Sequence, residues 1–472
     1  MLTAVALRLG PLIHNERRVD LKFVTRLVGA ACAAGLVLGV GACASPDKQA
    51  QMRSVTTLAQ VLPQGLAVTG LAIEYDRVLP AGQVPADAFE VATTLCLEGQ
   101  SRQGTGGGGA KCIFDDAPRT VVSGHTSSTK TLTGQASAGE FVILELSPQD
   151  QAAAAALYDG TYSDYFALDE ALTVTQVNDW NLGKVKFPKT PATSVTSSAS
   201  YRDVVEEYAS HEFASQSGVV MPYRFRNPNT SAGQRYPLVV TLHGHGESGT
   251  DNLSQIAGTQ MSVAFASPER QESNPAFILS PQTNRGAPGG AQGTGWWDPN
   301  WQAAVIDLIV QTIAENPQID PDRVYLTGLS MGAYGSWQIL AEHSDLFAGA
   351  VLVCGEGDPE FALTKLTDFP IWVTHSEDDF VVPYDAPGAG QQIFEVFETA
   401  GVPITWSQWA GDLPLQEQRA LALGTWDEAK QTGSKHILTK FAANTTPVLP
   451  HFSWIPTFEN DVILDWLFSQ RR

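Results

Sequence analysis

The chain has 472 residues, 43% of them hydrophobic, which is more than one ordinary domain needs and enough for two packed cores. Aspartate and glutamate number 50 against 29 lysines and arginines, a formal net charge of −21. So acidic a body argues against nucleic acid or an anionic lipid surface as a partner, and solubility alone accounts for the charge.

Residues 1–42 have the form of an export signal. The basic residues end at Arg26, and an apolar stretch rich in glycine and alanine fills 27–42. That stretch is shorter than the ~20 residues a bilayer span takes. Val40-Gly41-Ala42-Cys43 has the form of a bacterial lipobox, which makes Cys43 the lipidation candidate. The expectation is an exported protein attached to the membrane through a lipid anchor only. By resemblance to Gram-negative lipoproteins, Ala44 rather than Asp after Cys43 implies sorting of the anchor to the outer membrane in a Gram-negative source. An ordinary cleaved signal would leave the protein periplasmic or extracellular.

Residues 43–57 read as a polar tether. From Val68 onward, short segments alternate apolar and polar residues between Gly, Pro, Ser and Asp, as at 71–75, 88–92, 121–122 and 140–146. This period of two predicts a β-sandwich over 58–188. His125 reads as a solvated loop histidine. Cys96 and Cys112 flank the glycine-rich stretch 103–110, and in an exported chain the pair reads as a disulfide. Cys32 lies in the signal, and Cys354 ends an apolar strand as a buried free thiol. These spacings suit no metal site, and no cofactor is expected.

A Pro/Ser/Thr-rich linker covers 189–205. Beyond it, over 206–472, the pattern changes to apolar strands alternating with helices. Segments 208–216 and 219–226 read as opening antiparallel strands. Strands at 236–242, 276–280, 324–327, 350–353, 371–374 and 404–408 follow, with helices that include 301–314 and 391–400. Continuous apolar strands separated by helices imply a parallel sheet covered on both faces. Ligands of such sheets bind beyond the carboxyl ends of the strands.

Gly328-Leu329-Ser330-Met331-Gly332 stands between such a strand and a helix. G-x-S-x-G in that setting is a nucleophile elbow, with Ser330 Oγ exposed on a sharp turn. A serine hydroxyl needs a base, and the base needs an orienting acid. In α/β-hydrolases the chain order is serine, acid, histidine. The order sets aside His243, His245 and His343, and His375 precedes the best acid. His451, just before the last helix at 460–468, is the candidate base. His436 is its competitor, otherwise a surface histidine. Asp379, in Asp379-Phe380-Val381-Val382-Pro383 after an apolar strand, is the candidate acid, with Asp378 and Asp358 as alternatives. The loop His243-Gly244-His245-Gly246-Glu247 follows the strand where the fold places half of its oxyanion hole. The backbone amides of His245 and Met331 are assigned to that hole.

As an ordered set, the loop from His243, the elbow, Cys354-Gly355-Glu356-Gly357-Asp358, the Asp379 loop and His451-Phe452-Ser453-Trp454 resemble a family of bacterial secreted or lipid-anchored esterases. The family is related to polyhydroxybutyrate depolymerases and feruloyl esterases, and some members are described only as predicted peptidases. Residues 55–190, through Glu74-Tyr75-Asp76, 88–91 and 139–147, resemble the immunoglobulin-like domain carried by some of these esterases. The resemblance implies an α/β-hydrolase fold, a mostly parallel sheet with helices on both faces, preceded by an immunoglobulin-like sandwich. It implies a serine esterase acting through an acyl-enzyme on a small-molecule or polymeric ester. A serine peptidase and a non-catalytic surface binding protein are the alternatives. The chain departs from the family at His245, where a small residue is common, at Pro450, where glycine is usual, and in an insertion at 411–449. That insertion is expected to form a lid or pocket wall beside His451. Trp426 in it, and Trp297 facing it, are the substrate-binding candidates.

Overall fold

The computed structural model describes residues 50–97, 112–132, 134–159, 161–189, 194–229, 231, 233–285 and 295–472. The export signal, Cys32, Cys43 and the glycine-rich stretch 103–110 lie outside them. Among the described residues, no helix is long and apolar enough to cross a membrane.

The N-terminal part is a sandwich of two sheets. One carries, in spatial order, Ala199–Arg202, Met52–Leu62, Gly65–Leu79, Gly139–Leu146 and Val121–Ser127. The other carries Val195–Thr196, Leu172–Gln176, Phe89–Cys96 and Cys112–Arg119. Val68, Ile73, Leu144 and Val174 lie buried in the shared core, and Trp180 stacks on Phe187 with ring centroids 3.7 Å apart. Cys96 and Cys112 sit opposite one another on neighbouring strands and are joined by a disulfide.

Three expectations are corrected here. The tether is shorter than residues 43–57, because a strand begins at Met52 and Val55 and Leu58 are already buried. The 189–205 linker is not free chain: Ala199–Arg202 pairs in parallel with the first strand and Val195–Thr196 with Leu172–Gln176. His125 is not solvated. It lies on a strand opposite Ile143 and is buried.

The C-terminal part is built on one sheet of nine strands among the described residues. In chain order these are β1 (Ala209–Ala214), β2 (Val220–Arg226), β3 (Tyr236–Leu242), β4 (Phe277–Pro281), β5 (Ile319–Leu329), β6 (Gly349–Val353), β7 (Ile371–Ser376), β8 (Ile404–Trp409) and β9 (His436–Phe441). Their spatial order is β1-β2-β4-β3-β5-β6-β7-β9-β8. The first two are antiparallel, and every pairing from β4 to β8 is parallel. Strands β3, β6 and β7 are buried along their whole length, as strands covered on both faces must be. The helices that matter below are α1 (Pro299–Glu315), α2 (Met331–His343), α3 (Gly390–Thr399), α4 (Leu415–Thr432) and α5 (Asp461–Phe468). Two of these helices have a side-chain cap, and both are local: Asp298 accepts the amide of Asn300 before α1, and Asn460 accepts that of Val462 before α5. This is the α/β-hydrolase arrangement.

Most of the insertion at 411–449 is not a lid but part of the layered fold, and only its end, 442–449, runs beside the Asp379 loop toward His451. Its bulk is α4 and β9, and β9 enters the sheet between β7 and β8. Strand β8, read as the last, is the edge strand instead. Trp426 lies half-buried on α4, packs against the core and has the Lys430 ammonium 4.1 Å from its ring centroid. His436 is not on the surface. It begins β9, is buried, and its Nε2 hydrogen-bonds the carbonyl of Leu366.

Candidate active site

The site forms where β5, β7 and β9 end. Ser330 follows β5 directly and precedes α2, with φ 50° and ψ −123°. A non-glycine residue in that region is strained, and it persists only where its surroundings fix it. The two flanking glycines explain how. A Cβ at Gly332 would lie 1.8 Å from the carbonyl oxygen of Leu242, and one at Gly328 would lie 2.4 Å from that of Gly332. Helix and strand approach so closely that no side chain fits at either place. The amide of Ser330 donates to Val353 on the neighbouring strand at 2.9 Å, which ties the turn to the sheet.

The structure brings Ser330, His451 and Asp379 into one hydrogen-bonded line. His451 Nε2 lies 3.0 Å from Ser330 Oγ, and His451 Nδ1 lies 2.7 Å from Asp379 Oδ2. Asp379 is buried, and its Oδ1 accepts the amides of Val381 and Val382 at 2.9 and 3.0 Å. This local turn is the physical content of D-x-x-V-P. The second oxygen also receives His375 Nε2 at 3.2 Å, and that nitrogen bonds the carbonyl of Val382 at 2.8 Å as well. Two acceptors on Nε2 place the proton there, so His375 donates to Asp379. Burial works against the Asp379 charge, but these hydrogen bonds outweigh it and hold the carboxyl well below the ordinary carboxylate range. Burial likewise disfavours the imidazolium of His451. The neighbouring Cys354 and Asp379 outweigh it and raise the ring's basicity above that of an ordinary histidine.

The competing residues are held elsewhere. Asp358 caps a short helix through the amides of Glu360 and Phe361. Asp378 accepts the amide of Asn444. His343 lies at the far end of α2. Thr283 donates its amide to His243 Nε2 at 3.1 Å, so the Nδ1–H of His243 bonds the carbonyl of Gly244. Burial pushes the His243 ring down to about 4, which keeps it neutral.

That bond shapes the loop after β3. A Cβ at Gly244 would lie 3.7 Å from Ser330 Cβ and 2.8 Å from Leu329 Cδ1, so the loop backbone passes against the elbow. His245 follows, opening a single 3-10 turn with Glu247. Met331 is the first residue of α2, where amides have no partner within the helix. The His245 ring is half-buried, 5.1 Å from Tyr162 and 6.1 Å from Trp297 between centroids. Trp297 in turn meets Tyr334 edge-on at 5.8 Å. Trp297 is therefore brought to the site and Trp426 is not.

Sequence reasoning missed five residues here. Tyr334 lies four residues after Ser330, on the same face of α2, a spacing that could have found it. His375 was considered only as a base, not as a support for Asp379. Glu247 packs its carboxyl on the loop: a Cβ at Gly244 would lie 3.0 Å from its Oε2. Burial pushes that carboxyl up to about 7. Cys354 lies at the end of β6, with its Sγ 3.6 Å from the carbonyl oxygen of His451. Tyr162 comes from the sandwich, and nothing in the sequence links it to this loop.

Comparison with known proteins agrees with this architecture. Residues 54–185 match the family described as "Esterase Ig-like N-terminal domain" and residues 215–424 the family described as "Putative esterase". A poly(3-hydroxyalkanoate) depolymerase C of Paucimonas lemoignei is 30% identical over 125 residues, 25% of this chain and 28% of that protein. The chain thus matches well under half the length of this curated relative. The crystal structure of a thermostable esterase is similar over 89% of this chain and all of the other, at 28% identity and a TM-score of 0.69. The chain carries an immunoglobulin-like N-terminal domain of the esterase type, followed by a domain of the esterase family.

Proposed function

We propose that this protein hydrolyses carboxylic esters through an acyl-enzyme on Ser330, with His451 as base and Asp379 as its orienting acid. The observation that carries this is the unbroken line Ser330 Oγ, His451 Nε2, His451 Nδ1, Asp379 Oδ2 at hydrogen-bond distances. Ser330 Oγ attacks the acyl carbon while its proton passes to His451 Nε2. The buried Asp379 carboxylate keeps the other nitrogen protonated and stabilises the imidazolium that forms. The oxyanion is received by the amides of His245 and Met331, each contributing about 3–4 kcal/mol in a preorganised site. The imidazolium then protonates the departing alkoxide. Water enters, gives its proton to His451 and its oxygen to the acyl carbon, and the acid leaves as the proton returns to Ser330. His245, Trp297 and Tyr334, all partly exposed, offer aromatic surface to the acyl or alcohol group, which suits small or polymer-derived esters.

The test uses an activated short-chain nitrophenyl ester and the matching anilide. Ser330→Ala and His451→Ala should each lower ester turnover by roughly four or more powers of ten, the usual cost of a triad member, with an unchanged circular dichroism spectrum. Retained turnover in His451→Ala would move the base elsewhere. Anilide turnover matching that of the ester would favour a peptidase.

A further inference from the structure

Cys354 is neither nucleophile, base nor acid in the hydrolysis just described, yet it lies beside the residues that carry it. It directly follows β6, its φ is 43°, and its amide donates to Thr374 on β7 at 3.0 Å. These constraints hold the fully buried thiol against His451, whose carbonyl it reaches at 3.6 Å. One ligand atom from each of Cys354, Asp379 and His451 lies within 4.8 Å of the other two, and all three residues are buried.

We propose that Cys354, His451 and Asp379 together form a capture site for a soft divalent cation, Zn²⁺ or Cd²⁺, and that its occupancy switches the hydrolase off. The loss of turnover rests on the triad reading above; the binding itself does not.

The donor set supports this class of ion. A thiolate, an imidazole and a carboxylate are the first-coordination groups of zinc-like sites, commonly three from the protein with a fourth position open. Mg²⁺ and Ca²⁺ require six or more oxygen ligands and do not fit. Charge also closes: the thiolate and Asp379 together offset a divalent cation, so no net charge is buried. Metal–ligand bonds of about 2.0–2.3 Å put tetrahedral ligand atoms about 3.3 Å or more apart, so Asp379 Oδ2 and His451 Nδ1, now 2.7 Å apart, must separate to admit the ion.

Occupancy inverts the histidine. In the resting line, His451 carries its proton on Nδ1 and accepts from Ser330 at Nε2. A cation on Nδ1 takes the lone pair there, so the ring proton moves to Nε2. The thiol releases its own proton to solvent as the sulfur binds the metal. His451 then presents N–H toward Ser330 and can no longer act as base. Asp379 gives up the His451 proton but retains the amides of Val381 and Val382.

The experiment titrates the full-length protein with CdCl₂, following the ultraviolet thiolate-to-cadmium absorption band and nitrophenyl ester turnover together. Wild type should gain the band and lose turnover in parallel, both reversed by EDTA, with MgCl₂ and CaCl₂ inert. Inhibition of Cys354→Ala is measured relative to that variant's own turnover without cadmium. In it the Cys354 share of the band should vanish, and the half-inhibitory concentration should rise by at least about tenfold, the low end of what loss of even a supporting group costs a metal site. Equal sensitivity of Cys354→Ala and wild type, or an identical band in both, overturns the site. A band that depends on Cys354 in a protein without ester turnover keeps the site and overturns the hydrolase reading instead.

Discussion

Asp379 receives four hydrogen bonds on two oxygens, from His375, His451 and the amides of Val381 and Val382. The last two follow from local sequence, since a carboxylate that bonds amides two and three residues onward needs only its own loop. This is why the register of D-x-x-V-P was legible, and why Asp378, one residue earlier, has a different partner. The His375 bond depends on where β7 ends relative to that loop, and spacing alone does not give it. Glu247 was invisible for a related reason, because its environment is made by Gly244 and by Gly258, whose added Cβ would lie 2.5 Å from Glu247 Cγ. It yields a prediction with a definite sign. Its folded value of about 7 stands above the ordinary 4.5, because burial disfavours the charged form. The stability this group contributes is full below 4.5 and is lost as pH rises through about 7. Glu247→Gln removes that slope. The variant should melt higher than wild type above neutral pH, and the difference should shrink toward acid. A melting difference that stays constant with pH would show that the carboxyl is not desolvated in the folded protein.

At the scale of elements, the 411–449 segment shows where sequence reading stopped. Strand β3 reads as Tyr236-Pro237-Leu238-Val239-Val240-Thr241-Leu242, nearly unbroken apolar residues. Strand β9 reads as His436-Ile437-Leu438-Thr439-Lys440-Phe441 and breaks that pattern. It is nevertheless flanked by strands on both sides, and its polar groups find partners inside. Thr439 accepts the indole N–H of Trp372 and meets Ser407, and His436 bonds Leu366. Its insertion between β7 and β8 reverses chain order, which no local pattern encodes. Helix α4 hid for another reason: its buried face is Gln418, Ala422, Thr425 and Ala429, helical in spacing but hardly apolar. The consequence is that Trp426→Ala should act on stability. A half-buried indole should cost about 1–2 kcal/mol, below the 3–5 kcal/mol of a fully buried one. Turnover of small and bulky acyl esters should change by the same factor. A change in acyl preference without a lower melting temperature would return the segment to the substrate pocket.

At the scale of the molecule, the two domains are not beads on a string. One buried apolar cluster runs from Val68 and Ile73 of the sandwich to Ile256, Ala257 and Phe265 beside the catalytic sheet. The hairpin of Ala156–Tyr158 and Ser163–Tyr165 reaches further, to the loop after β3. There Tyr162 lies 5.1 Å from the His245 ring, and the Arg285 guanidinium sits 4.8 Å from the centroid of Tyr162. Arg285 also bonds the carbonyl of Ser163 at 3.1 Å and pairs with Asp164. Both partners of that ion pair are well exposed, so water screens it and it contributes little by itself. The aromatic contact is different, since its value is steric and directional. It packs on the ring of His245, whose amide we propose for the oxyanion, from outside the catalytic domain. Tyr162→Ala should therefore lower kcat/KM by roughly 2- to 5-fold, the rate equivalent of about 0.5–1 kcal/mol. Arg285→Ala should produce part of the same loss. In a double-mutant cycle the two should fall short of additivity, because each removes the same support from His245. Strict additivity, or a change in melting temperature with no change in kcat/KM, would mean that the hairpin touches the loop without steadying it. The sandwich would then stabilise the catalytic domain only through the shared core at Ile256 and Phe265.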